Sequence, residues 1–93
     1  MEVVNGAAHL AVRVAGDHAW PTLVLLPGLG RPSSDLDRFA RLLVAARYRV
    51  VQPEPRGIGA STGPLEGLTL HDLAADIAAV IEAVGGAPVA VIG

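Results

Sequence analysis

Apolar residues in this chain follow two patterns, short continuous runs and stripes at helical spacing, and the two alternate. Thr22 to Leu26 is an unbroken run of β-branched residues and leucine, as expected of a strand buried on both faces. Arg49 to Gln52, ended by Pro53, and Pro88 to Ile92 are further runs of the same kind. Between the first two, Leu36, Phe39, Ala40, Leu43 and Ala46 recur at helical spacing and predict a helix near Asp35 to Arg47. Between the second and third, Leu70, Leu73, Ala74, Ile77, Ile81 and Val84 predict another over Leu70 to Val84. Ahead of all of these, Val3-Val4, Asn5-Gly6 and the alternating stretch from His9 to Val14 predict a hairpin, because Asn-Gly suits a two-residue turn. Strands alternating with helices imply a parallel sheet covered by helices.

Polar residues mark the ends of these elements. Ser33-Ser34 is expected to cap the first helix, with Asp35 and Asp37 in its positive first turn and an Asp37–Arg41 pair on its wet side. Thr69 and Asp72 form a variant of the capping box at the second helix, and Gly85-Gly86 with Pro88 stops it. The stretch from Glu54 to Gly67, dense in Gly, Pro and Ser, is the longest irregular segment.

Composition narrows the function classes. A length of 93 residues allows one domain or part of one. No cysteine is present, which excludes disulfides, thiolate metal sites and a cysteine nucleophile and makes a reducing cytoplasm the default compartment. The hydrophobic content is 52%, yet no segment approaches the roughly 20 apolar residues of a membrane span, and the amino terminus has no signal-peptide pattern. The net charge is −2 and all seven cations are arginines spread along the chain, so no nucleic-acid footprint is indicated, and neither nucleic acid nor a membrane is expected as a partner. No metal or cofactor is implied.

Four motifs, in order, resemble the α/β-hydrolase superfamily over nearly the whole chain. Leu25-Leu26-Pro27-Gly28-Leu29-Gly30 is similar to its strand-to-oxyanion loop, and Pro53-Glu54-Pro55-Arg56-Gly57-Ile58-Gly59-Ala60-Ser61 to its Pro-Asp-x-Arg-Gly-x-Gly-x-Ser loop. Thr69 to Asp76 matches the helix that follows, and Val89-Ala90-Val91-Ile92-Gly93 the strand entering the nucleophile elbow. The resemblance implies a partial α/β-hydrolase fold, with a mostly parallel sheet, flanking helices and an amino-terminal hairpin, in which the strand from Thr22 lies between the other two. Residues 1–93 are then expected to be the amino-terminal portion of a single domain, ending on the first glycine of the elbow.

What the resemblance implies for chemistry is correspondingly partial. The Leu29 backbone N–H is expected to be an oxyanion-hole donor, with Gly28 letting the loop approach the substrate. Nucleophile, acid and histidine follow the elbow in this family, so all three are expected beyond Gly93. The parent protein is expected to hydrolyse an ester or similar small molecule, and the isolated chain to be inactive. His9, His18 and His71 are read as non-catalytic, and Ser61 as a structural loop residue rather than a nucleophile. Asp72 and Asp76 share a helix face and are read as a solvated face rather than paired catalytic carboxylates. Arg56 is expected to hold its loop through hydrogen bonds. Two residues depart from the family pattern: Pro27 stands where histidine is usual, and Glu54 where aspartate is.

Other readings remain open on the residues alone. The stretch Pro55 to Pro64 also resembles a bacterial subgroup whose elbow carries alanine, which leaves room for a non-catalytic homologue or an inert fragment. Gly28-x-Gly30-x-x-Ser33 after a strand, with Glu54 ending the next, imitates a dinucleotide-binding fingerprint in which Glu54 would bind a ribose. Pro32 interrupts that turn, and Glu54 lies farther from Gly28 than the about 20 residues usual. The outer edge of the strand from Pro88 to Ile92 carries no charge to guard it and is expected to self-associate.

Overall fold

A computed structural model of the chain describes residues 1–28, 30–85 and 89–93. The strands are β1 (Glu2–Asn5), β2 (Ala8–Ala15), β3 (Thr22–Leu25), β4 (Arg49–Pro53) and β5 (Val89–Ile92), and the helices are α1 (Asp37–Ala45) and α2 (Leu70–Val84). They form one sheet in the order β1-β2-β4-β3-β5. β1 and β2 are antiparallel, as are β2 and β4, whereas β4, β3 and β5 run parallel. The expected position of β3 between β4 and β5 is borne out.

Register assigns the side chains to two layers. Successive residues of a strand face opposite sides, so Val24 and Val51 join Leu10, Val12 and Val80 in the core beneath α2. Their neighbours Leu25 and Val50 join Ala40 beneath α1. β4 is buried at all five positions, which is why its sequence reads as a run rather than an alternation.

Several local expectations need correction. Asn5 pairs with Ala8, so the hairpin loop is Gly6-Ala7, with Gly6 alone at positive φ (58°), as in a turn that needs glycine at its first central position. Asn5 is thereby a strand residue. The segment at Ser33 begins as a 3-10 turn over Ser33–Leu36 with no side-chain cap, and α1 proper starts at Asp37. Ser33 is buried and its hydroxyl is engaged elsewhere, so it is not a cap. Phe39 is 41% exposed because the buried stripe of α1 runs through Leu36, Ala40, Leu43 and Val44. Asp37 bonds to Arg13 and Gln52, which face it from the sheet, rather than to Arg41.

In α2 the predicted bounds and the Thr69–Asp72 capping box are both present. Its buried face is centred on Asp76 and Val80, which leaves Leu70 at 77% exposure. Gly85 ends the helix at φ 57°; Gly86, Ala87 and Pro88 lie outside the described residues. No helix among the described residues is long and apolar enough to cross a membrane.

Candidate active site

The sheet topology creates a crevice before any side chain is considered. The chain leaves β3 for α1 on one face and leaves β4 for α2 on the other. Adjacent parallel strands whose connections part in this way open a gap at their carboxyl ends, the usual ligand position in such sheets. A cavity of about 350 Å³ lies there, bounded by Leu26, Pro27 and Gly28 after β3 and by Pro53 and Glu54 at the end of β4. Ile58, Leu68, Leu73 and Ile77 complete an apolar wall. The size and lining match a small-molecule pocket.

Gly28 is exposed on the rim of this cavity, where the sequence places the oxyanion loop. Leu29 lies outside the described residues. The segment is held from both ends: Leu26 N–H donates to the Ile92 carbonyl at 2.8 Å, and Arg31 N–H to the Gly28 carbonyl at 2.9 Å. Beyond it, Glu54 accepts from the Ser33 N–H (2.6 Å) and the Ser33 hydroxyl (3.1 Å). Arg13 donates to Ser33 Oγ at 3.0 Å and to Asp37 Oδ1 at 2.7 Å. Gln52 donates to the Ser33 carbonyl and to Asp37. The Arg13 hydrogen bond, then that of Gln52, holds the Asp37 carboxyl below the usual carboxylate range.

The far wall is fixed by an ion pair. Arg56 donates from Nε and Nη2 to the two oxygens of Asp76 at 3.0 and 2.9 Å, and from Nη1 to the Pro64 carbonyl at 3.1 Å. Asn5 Nδ2 adds a third bond to Asp76 at 2.8 Å. Arg56 therefore holds its loop as expected. Asp76, however, is 2% exposed, which overturns the solvated-face reading: a bidentate arginine and an amide satisfy the carboxylate inside the protein. Asp72 instead serves the cap, and its bond with the Thr69 backbone lowers its carboxyl from the ordinary value.

Ser61, His9, His18 and His71 do not line this cavity. Ser61 is buried; its hydroxyl donates to the Glu54 carbonyl at 2.7 Å and accepts from Ala11 N–H at 2.9 Å. Both of these bonds are to backbone groups. His9 bonds to Glu2, His18 Nδ1 meets Arg49 Nη1 at 2.6 Å, and His71 is exposed on α2. Among the described residues no group of three or more His, Asp or Glu can hold a metal. Glu54, the ribose ligand of the dinucleotide reading, has both carboxylate oxygens turned to Ser33.

Sequence reasoning missed Asn5, Arg13, Ser33 and Gln52 as parts of this site, and Arg49 as a cap. Arg49 is 4% exposed and donates to Thr22 Oγ1 and to the Val84 and Gly85 carbonyls at the end of α2. The available signal was a polar residue at each end of an otherwise apolar run, since a buried polar group requires a partner.

Comparison with known proteins agrees with this geometry. The family model described as alpha/beta hydrolase fold matches residues 21–93, while no curated protein matches. Epoxide hydrolase A from Mycobacterium thermoresistibile superimposes with a TM-score of 0.86 at 27% identity, over 98% of this chain and 29% of that one. An epoxide hydrolase from Vigna radiata gives 0.86 at 25% identity, over 98% and 30%. An esterase from Exiguobacterium antarcticum gives 0.83 at 24%, over 92% and 31%, a likeness of fold alone. The chain thus spans about three tenths of the length of these structures. These matches replace the dinucleotide-binding alternative: with the mixed sheet whose β4, β3 and β5 run parallel, the crevice between β3 and β4 and the match over residues 21–93, the chain belongs to the alpha/beta hydrolase fold family.

Proposed function

We propose that this chain supplies the oxyanion side of a hydrolase active site acting on an uncharged small molecule with an ester or epoxide bond. The observation that carries the reading is the apolar cavity at the carboxyl ends of β3 and β4, with Gly28 on its rim. In this reading the Leu29 backbone N–H, next along the chain, donates to the developing oxyanion, a contribution worth about 3–4 kcal/mol of barrier where such a donor has been removed. The nucleophile and its base come from outside residues 1–93, since Ser61 and the three histidines are committed to other contacts or lie away from the cavity.

An uncharged substrate fits the walls. Arg56 and Asp76 neutralise each other, and Glu54 is turned to Ser33. The epoxide arm has support from two structural relatives at 25% identity or above; the ester arm rests on the fold. The test is steady-state hydrolysis by the full-length protein of 4-nitrophenyl butyrate and of styrene oxide, with the isolated 93-residue chain as control. Turnover of either by the full-length protein alone supports the proposal. Turnover of neither, or equal turnover by the isolated chain, sinks it.

A further inference from the structure

Among the described residues of Pro27–Gly30, none has a polar side chain. Pro27 lacks a polar side chain and a backbone N–H, Gly28 and Gly30 have no side chains, and Leu29 offers only an apolar one. Polar anchoring of Pro27, Gly28 and Gly30 comes from residues that flank them. On the amino-terminal side the anchor is the ladder bond from Leu26 to Ile92. On the other side the chain turns at Arg31, which pairs with Asp35 on the surface, and then enters the interior at Ser33, whose N–H and hydroxyl both end on one carboxylate, Glu54.

Glu54 is itself held on three sides. Its backbone N–H donates to the Ala11 carbonyl at 2.8 Å, and its carbonyl accepts from Ser61 Oγ at 2.7 Å. Gly59, at φ 55°, packs so closely on its carboxylate that a Cβ there would fall 2.9 Å from Oε2. The Gly-rich loop is shaped around this carboxylate, and the carboxylate is aimed at Ser33. A charged acceptor taking two donors from one residue makes short, directional bonds, and a loop carrying a catalytic donor is sensitive to displacements well below 1 Å.

We propose that Glu54 is the positioning residue of the loop between β3 and α1, acting through Ser33 to fix Gly28 and Gly30 at the rim of the cavity. The inference rests on the proposed function for its catalytic consequence, while the mechanical coupling stands apart from it. In the full-length protein, Glu54→Ala is expected to lower kcat on the hydrolysed substrate by about 10- to 100-fold, with KM changed less than about threefold. The ¹H–¹⁵N signals of Gly28 and Gly30 should move together with that of Ser33. Asp72→Asn is the control for destabilisation alone: it weakens the α2 cap, lies off the cavity, and leaves Glu54 and Ser33 joined. It should cost stability and leave kcat and the Gly28 and Gly30 signals in place.

Should Glu54→Ala fail to fold, Glu54→Gln, which keeps the shape and weakens the acceptor, carries the same two readouts. The proposal is overturned if kcat stays within about twofold, if Ser33 shifts while Gly28 and Gly30 do not, or if Asp72→Asn reproduces the loss. A wild-type protein that hydrolyses nothing would remove the proposed function, and the amide signals would still decide the coupling.

Discussion

Arg56 and Asp76 face each other as a two-pronged ion pair with side chains 10% and 3% exposed, and Asn5 completes the coordination of the carboxylate from the hairpin. Three segments distant in sequence meet at this carboxylate: the hairpin, the Gly-rich loop and α2. Removing one partner leaves the other charge buried without compensation, which costs far more than an exposed pair is worth. Asp76→Ala is therefore expected to lower the melting midpoint of the full-length protein by more than about 10 °C. Thermal denaturation with a circular dichroism readout checks this; a change within about 2 °C would show the pair to be dispensable.

Ser61 separates structural from catalytic roles. Its hydroxyl satisfies the Ala11 N–H and the Glu54 carbonyl. Ser61→Ala is expected to destabilise by about 1–3 kcal/mol, the cost of buried polar groups left unmet, with kcat of the folded protein within a few-fold of wild type. Denaturant titration and a rate assay on one preparation report both.

The amino-terminal cap of α2 titrates in acid. The Asp72 carboxyl is lowered chiefly by its bond to the Thr69 backbone. A depressed folded-state value means that the contribution is complete above the unfolded carboxylate value of about 3.9 and is lost as pH falls through the lower folded one. Asp72→Asn should therefore lose stability near neutral pH and show a shallower decline below about pH 4 than wild type. Parallel curves across that range would count against the cap.

Arg47 follows α1 at φ 68°, a left-handed position where a side chain is strained. Arg47→Gly is expected to stabilise by up to about 1 kcal/mol, measured by denaturant midpoint; a loss of stability would show that its side chain has a role of its own.

β5 pairs with β3 along one edge, and Val91 and Ile92 are 47% and 39% exposed. The isolated 93-residue chain is expected to self-associate through its other edge, since an apolar strand without charged guards is a template for pairing. Sedimentation across a dilution series tests this, and a monomer at all concentrations would remove the idea.

The fold was legible because strands buried on both faces write themselves as runs. The runs Thr22 to Leu26 and Arg49 to Gln52 match β3 and β4 to within one residue, Leu26 lying outside its strand and Pro53 inside, and the bounds of α2 follow from its apolar stripe and the Thr69–Asp72 cap. The errors share one cause, polar residues whose partners are remote in sequence. Asp76 looked solvated because Arg56 and Asn5 reach it across 20 and 71 positions. Ser33 looked like a helix cap because Glu54, 21 positions away, was not known to face it. Periodicity reports which face is buried on average; it does not report a buried polar position that a distant partner makes tolerable. Gly28 lies on the cavity rim and Leu29 outside the described residues; the network of Glu54, Ser33, Arg13 and Gln52 behind that rim was not legible.

The central claim is that a backbone N–H at position 29 serves the reaction, and a pair of substitutions tests it most directly. Leu29→Ala changes the side chain and keeps the N–H; Leu29→Pro removes the N–H itself. In the full-length protein, kcat of Leu29→Ala should stay within about tenfold of wild type, while Leu29→Pro, shown to be folded, should fall by about 10² to 10³, the range observed for loss of one oxyanion donor. Equal rates for the two folded variants would contradict the assignment.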